Sequence, residues 1–195
     1  MNPIYEAYVG CIVEKEVSDE YSIYITCKLS KDLQDRWKLL VHNLDEADEV
    51  ETDPHCTFLW AKLNEEFKED EVFDFLKPLL ENMEFYLQPM GFKIFEDVNE
   101  GTRNCLVVRL DAPGEITQHQ LEVKQRLKDE GMEMAQDYPE WKPHMTIAYY
   151  PVDTKIRFEQ PNNGMLDTPI KTTIDFMKMN NSKKELKFNS TEDKD

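Results

Sequence analysis

The apolar positions of this chain change their spacing from segment to segment. From Tyr21 to Leu29 they alternate and are rich in β-branched and aromatic residues, which predicts a strand. Ser30 is placed to cap a following helix that gathers Leu33, Trp37, Leu40, Val41 and Leu44 on one side. The acidic run from Asp45 to Asp53 reads as a solvated loop, and His55 to Leu63 as a second strand. Val72, Phe73, Leu76, Leu79, Leu80 and Met83 recur at helical spacing, with Pro78 as an interior kink. Phe85 to Val98 and Asn104 to Asp111 are predicted strands. A helix follows from about Ile116 to Glu130, with Gly131 as its C-terminal cap. His144 to Tyr150 is a further strand, stopped by Pro151, and Thr168 to Lys178 supplies one or two more. The polar stretch 181–195 reads as a frayed tail. Loops as short as Asp111 to Gly114 permit antiparallel pairing, so the expectation is an α+β domain over 1–180 followed by the tail.

Two of these strands carry chemistry. Asp53-Pro-His-Cys-Thr-Phe-Leu-Trp60 and Trp141-Lys-Pro-His-Met-Thr-Ile-Ala-Tyr149 each set a histidine and a threonine two positions apart. Side chains at i and i+2 of a strand project from one face. His55 and Thr57 then share a face, opposite Cys56, Phe58 and Trp60. By the same parity His144, Thr146 and Ala148 oppose Met145, Ile147 and Tyr149. Random placement gives ~0.2 His-x-Thr pairs in such a composition, and both pairs here follow a proline within a strand-like run. The plainer alternative is two satisfied strand histidines beside β-favouring threonines.

The arrangement suits phosphodiester cleavage. One histidine can activate the attacking hydroxyl while the other protonates the leaving oxygen, because an unperturbed pKa of about 6.5 permits either state. Their surroundings must separate the two values. Threonine hydroxyls can hydrogen-bond the non-bridging oxygens as charge grows there. The scheme calls for no metal and no cofactor. A zinc site of His55, His144 and Cys56 is disfavoured, since parity turns Cys56 away from His55. His42, near a helix end, and His119, in an early helical turn, read as structural or solvent-exposed.

Charge narrows the ligand. Against 23 Lys and Arg stand 40 Asp and Glu, a formal net charge of -17. Such a chain repels long polyanions, which bind by neutralising many phosphates. Duplex nucleic acid and anionic membrane are poor partners, and a small nucleotide held in one cleft is the favoured one. The four cysteines lie in apolar stretches without metal spacing, which suits reduced thiols. Neither a signal-peptide pattern nor a transmembrane run is evident, so a cytoplasmic location is expected.

From Tyr21 to Lys178 the sequence resembles the 2H phosphoesterase superfamily, named for two His-x-Thr/Ser motifs. The resemblance implies two α/β lobes with antiparallel sheets around a central cleft, and a catalytic set of His55, Thr57, His144 and Thr146. Asn104-Cys-Leu-Val-Val-Arg-Leu-Asp-Ala-Pro113, with Asp137-Tyr-Pro-Glu-Trp-Lys-Pro-His-Met-Thr-Ile147, looks like the phage anti-CBASS branch. Those enzymes destroy cyclic di- and trinucleotide immune signals of bacteria. The likeness implies Tyr24 as an aromatic contact to a substrate base and Asp175 as the late acidic contact, with no tryptophan after it. Lys142 and Tyr150, by parity with His144, are candidates for steadying a phosphate and stacking on a base. Cleavage of 2′,3′-cyclic phosphates or 2′,5′-oligoadenylate would use the same four residues. A non-catalytic nucleotide sponge or acidic decoy is the rival outside enzymology.

Overall fold

A computed structural model describes residues 22–29, 31–41, 44, 47–62, 68–98, 102–132, 140–158, 167–179 and 185–188. Alternating segments become strands and helically spaced ones become helices. In chain order they are β1 (Ser22–Leu29), α1 (Lys31–Val41), β2 (Glu49–Val50), β3 (Cys56–Lys62), α2 (Glu69–Leu80), β4 (Glu84–Asp97), β5 (Arg103–Asp111), α3 (Gly114–Asp129), β6 (His144–Pro151), β7 (Ile170–Met179) and β8 (Glu185–Lys187). This is the expected α+β class. All pairings are antiparallel, in the order β2-β6-β5-β4-β7-β1-β3, with β8 on β7.

The long strand β4 joins the two halves of this sheet. Glu84 to Leu87 pair with β7, and the stretch from Gln88 to Phe95 pairs with β5. Within the second stretch the register slips at Met90, where Gly91 takes φ +110°, a conformation side chains resist. One half therefore holds β1, β3, β7 and β8, and the other holds β2, β5 and β6. β3, at one end of the path, and β6, next to the other end, come back into contact. That contact brings the two His-x-Thr strands together.

Apolar faces of both halves and all three helices feed one core. Trp37 and Leu40 of α1, Leu76 and Leu80 of α2, and Val123 and Leu127 of α3 pack with Ile23, Ile25, Leu87, Leu106 and Met145 of the strands. α3 ends in paired bonds from Gly131 N–H to the Lys128 carbonyl and Met132 N–H to the Leu127 carbonyl, with Gly131 at φ +85°. Gly131 is thus the cap its position predicted. Pro78 lies in the last turn of α2, on its exposed side. His119 is structural: its Nε2 lies 2.9 Å from the Leu79 carbonyl, tying α3 to α2.

Three expectations are corrected. Glu49 and Val50, read as loop, form the edge strand β2 on Tyr149 and Ala148. Part of the predicted tail is structured: Glu185 to Lys187 pair with β7, and Phe188 is buried in the core. Leu44 packs on the core from outside the helix that was to carry it. Ser30, His42 and Cys11 lie outside the described residues. Among those described, no helix is long and apolar enough to cross a membrane.

Leu87 is fully buried where β4 passes from one half to the other. Leu87→Ala is expected to lower stability by about 2–5 kcal/mol, read as a shift in the urea unfolding midpoint.

Candidate active site

Each histidine follows a proline, and the proline has a local consequence. A residue before proline is confined to extended backbone, here Asp53 and Lys142. Their carbonyls meet the rings two positions on: His55 Nδ1 lies 2.9 Å from the Asp53 oxygen, and His144 Nδ1 lies 2.9 Å from the Lys142 oxygen. A carbonyl only accepts, so Nδ1 bears the hydrogen in both neutral rings. Nε2 is left as the nitrogen that gains and loses a proton.

Past the threonines each strand carries a bulge. Thr57 pairs with Thr26 and Leu59 with Ile25, leaving Phe58 as the extra residue of β3. Thr146 pairs with Val107 and Ala148 with Leu106, leaving Ile147 as the extra residue of β6. A bulge resets which side chains share a face, and this overturns the parity assigned beyond each motif. Trp60, opposite Tyr24, returns to the face of Thr57, and Tyr149, opposite Cys105, returns to that of Thr146. Tyr150 turns into the core, where it is 3% exposed, and offers no ring face to a base. Ala148 likewise joins the core.

Around His55 and Thr57 the contacts are close. Tyr24 Oη lies 2.7 Å from His55 Nε2 and 2.8 Å from Thr57 Oγ1. One hydroxyl hydrogen can serve only one neighbour at a time. When His55 is neutral, Tyr24 can donate to Nε2 and accept from Thr57. When His55 is protonated, Nε2–H donates to Tyr24, which donates to Thr57. In the second half Cys105 takes the equivalent place, with Sγ 3.9 Å from Thr146 Oγ1. Phe95 meets the His144 ring edge to face at 5.2 Å between centroids.

Side chains from the second half fasten β3 against β6. Trp141 Nε1 donates to the Thr57 carbonyl at 2.9 Å, and Gln120 Nε2 of α3 donates to the Phe58 carbonyl at 3.1 Å. Phe58 and Trp141 also meet edge to face at 5.3 Å. These bonds satisfy carbonyls of an edge strand that lacks a further neighbour among the described strands.

His144 holds its proton less tightly than the ordinary histidine value of 6.5. Burial is the main cause; the Lys142 carbonyl bond opposes it, and the charge of nearby His55 adds to the lowering. The charge of His55 is thus felt at the His144 ring.

The remaining sequence candidates are dispersed. Lys142 contributes its carbonyl to His144, while its side chain is exposed. Asp175 lies at a bulge of β7 opposite Thr26 and Cys27, and its carbonyl accepts from Phe188 N–H at 3.0 Å. No bond joins it to either histidine. Cys56 is buried on the core side beside Cys27, whose thiol pKa burial and Cys56 push well up. Trp60 and Tyr149 were missed as site-face residues. Their signal is two consecutive apolar residues, Phe58-Leu59 and Ile147-Ala148, where alternation calls for one.

No protein-family model and no curated protein matches this sequence. Among solved structures, a phosphoesterase crystal structure aligns with TM-score 0.55 at 12% identity, covering 83% of this chain and 87% of that one. The chain adopts the 2H phosphoesterase fold. Usb1 of Kluyveromyces marxianus aligns with TM-score 0.48 at 12% identity, over 89% of this chain and 99% of that one.

If His55 and His144 share a site, removing one charge must be felt at the other. His55→Gln is expected to raise the pKa of His144, because a cause of its lowering is gone. Histidine ring resonances followed against pH by NMR check this; an unmoved His144 titration would show the rings to be independent.

Proposed function

We propose that this chain is a phosphodiesterase in which His55 and His144 act on one phosphate held by Thr57 and Thr146. The observation that carries the reading is the meeting of two matched constellations. In each, a proline-ordered carbonyl fixes Nδ1–H, a threonine stands on the same face, and a bulge follows. Structural histidines have no need of that repetition, nor of a hydrogen-bonded tyrosine on one reactive nitrogen.

The roles follow from the surroundings. His144, held toward its neutral form, is the base that takes the proton of the attacking hydroxyl. His55, with Tyr24 able to accept from its protonated Nε2, is the acid that protonates the leaving oxygen. The threonine hydroxyls steady the non-bridging oxygens. For a 3′,5′ linkage the neighbouring ribose 2′-hydroxyl is the nucleophile, which makes a 2′-deoxy analogue inert. In this scheme the proton steps need no metal ion and no cofactor.

For the substrate we infer a cyclic di- or trinucleotide immune signal, placing the chain with the anti-CBASS enzymes in the cytoplasm of a bacterial host. The sequence resemblance to that branch supports this, as does a net charge of -17 that disfavours long polyanions. Tyr24 serves this site through its hydroxyl, whatever its ring contributes to a base.

The test is a substrate panel of 3′,3′-cyclic dinucleotides, a nucleoside 2′,3′-cyclic phosphate and 2′,5′-oligoadenylate, with and without EDTA. His55→Ala and His144→Ala are each expected to cost at least 10²-fold in rate. A substrate with a bridging 5′-sulfur, whose leaving group needs no proton, is expected to rescue His55→Ala and leave His144→Ala inactive. Rescue of His144→Ala alone would reverse the assignment, and full activity of both variants would end the reading.

A further inference from the structure

The two halves are matched in one feature that cleavage of a single phosphate does not use. On β5, Arg109 is the register partner of His144. On β1, Cys27 pairs with Cys56, the first residue of β3, and that antiparallel register carried one step further sets Lys28 level with His55. Directly opposed side chains of an antiparallel pair lie on one face, with Cβ atoms about 4.5–5.5 Å apart. Each histidine thus has one long cation beside it on the neighbouring strand. Both are exposed.

Acidic residues outnumber basic ones, 40 to 23, so an exposed cation readily finds a carboxylate. Lys38 pairs with Asp35, Lys68 with Glu71, Arg103 with Glu49 and Lys171 with Glu84. Among the described residues, Lys28 and Arg109 make no ion pair and no side-chain hydrogen bond; exposed Arg126, Lys155, Arg157 and Lys178 make no ion pair either. What sets Lys28 and Arg109 apart is their matched place beside the histidines, where an unneutralised cation is available to an anion.

We propose that Lys28 and Arg109 are a pair of anion-binding arms that hold the non-scissile phosphates of a substrate carrying more than one. This rests on the phosphodiesterase reading and sharpens it. The histidines and threonines occupy the scissile phosphate, so a ligand with that phosphate alone leaves the arms idle. A cyclic dinucleotide places a second phosphate across its ring, where an arm of one half or the other can meet it. Arg109 can grip two oxygens at once, whereas Lys28 acts as a point charge. The arms therefore select for phosphate number, and separate cyclic oligonucleotides from nucleoside 2′,3′-cyclic phosphates.

The experiment measures binding of a cleavage-resistant phosphorothioate cyclic dinucleotide to the full chain, beside turnover of a nucleoside 2′,3′-cyclic phosphate. Lys28→Met and Arg109→Met remove charge and keep length. Each is expected to weaken the dinucleotide about tenfold and to reduce the salt dependence of its binding by about one unit of slope. Turnover of the single-phosphate compound is expected to stay within twofold, which also shows the variants folded. Equal loss on both compounds, no loss on either, or no binding of the analogue by the wild type would each overturn the arms. Analogue binding that needs both arms, with no phosphodiester cleaved, would instead sink the catalytic reading and leave the arms standing.

Discussion

The site depends on a hydrogen bond within three residues of chain, from a histidine Nδ1 to the carbonyl two positions before it. Proline between the two confines the acceptor residue to extended backbone, so the carbonyl and the ring meet at 2.9 Å in both strands. That contact decides the tautomer, and the tautomer leaves Nε2 as the nitrogen for the proposed chemistry. The remainder of the fold brings two such units face to face. β4 passes from β7 to β5 between Leu87 and Gln88 and so serves both halves of the sheet, and Trp141 and Gln120 then fasten β3 from the opposite side.

Much of this was legible in the amino-acid sequence, for reasons that are local. Alternation and helical spacing located the strands and helices. The pairing of histidine with threonine at i and i+2, each behind a proline, marked the candidate reacting groups. The parity argument held only as far as the threonines. Beyond them, Phe58 and Ile147 are bulge residues, and one inserted residue exchanges the faces of everything that follows. Trp60 and Tyr149 came to the site face for this reason, and Tyr150 left it. The clue was present as consecutive apolar residues, but a doubled apolar position also suits a strand buried on both faces. Glu49 and Val50 were illegible because an edge strand of two residues has no period.

The two halves are alike in backbone and unlike in side chains, and the chemistry lies in the difference. Where Tyr24 bonds His55 and Thr57, Cys105 offers only a weak sulfur contact to Thr146. His144 instead has the edge-to-face contact of Phe95 and a burial that disfavours its charged form. One ring is thus given a polar partner for its proton, and the other is pressed toward neutrality. In the proposed mechanism this difference assigns acid and base in a scaffold that nearly repeats itself.

The central claim is that both Nε2 atoms meet one anion. Ring nitrogens of a ¹⁵N-histidine sample can be followed by NMR as inorganic tungstate is added. We expect the Nε2 signals of His55 and His144 to move together along one binding curve, while His119, engaged with the Leu79 carbonyl, stays still. Separate affinities for the two rings, or movement of one alone, would contradict a shared phosphate site.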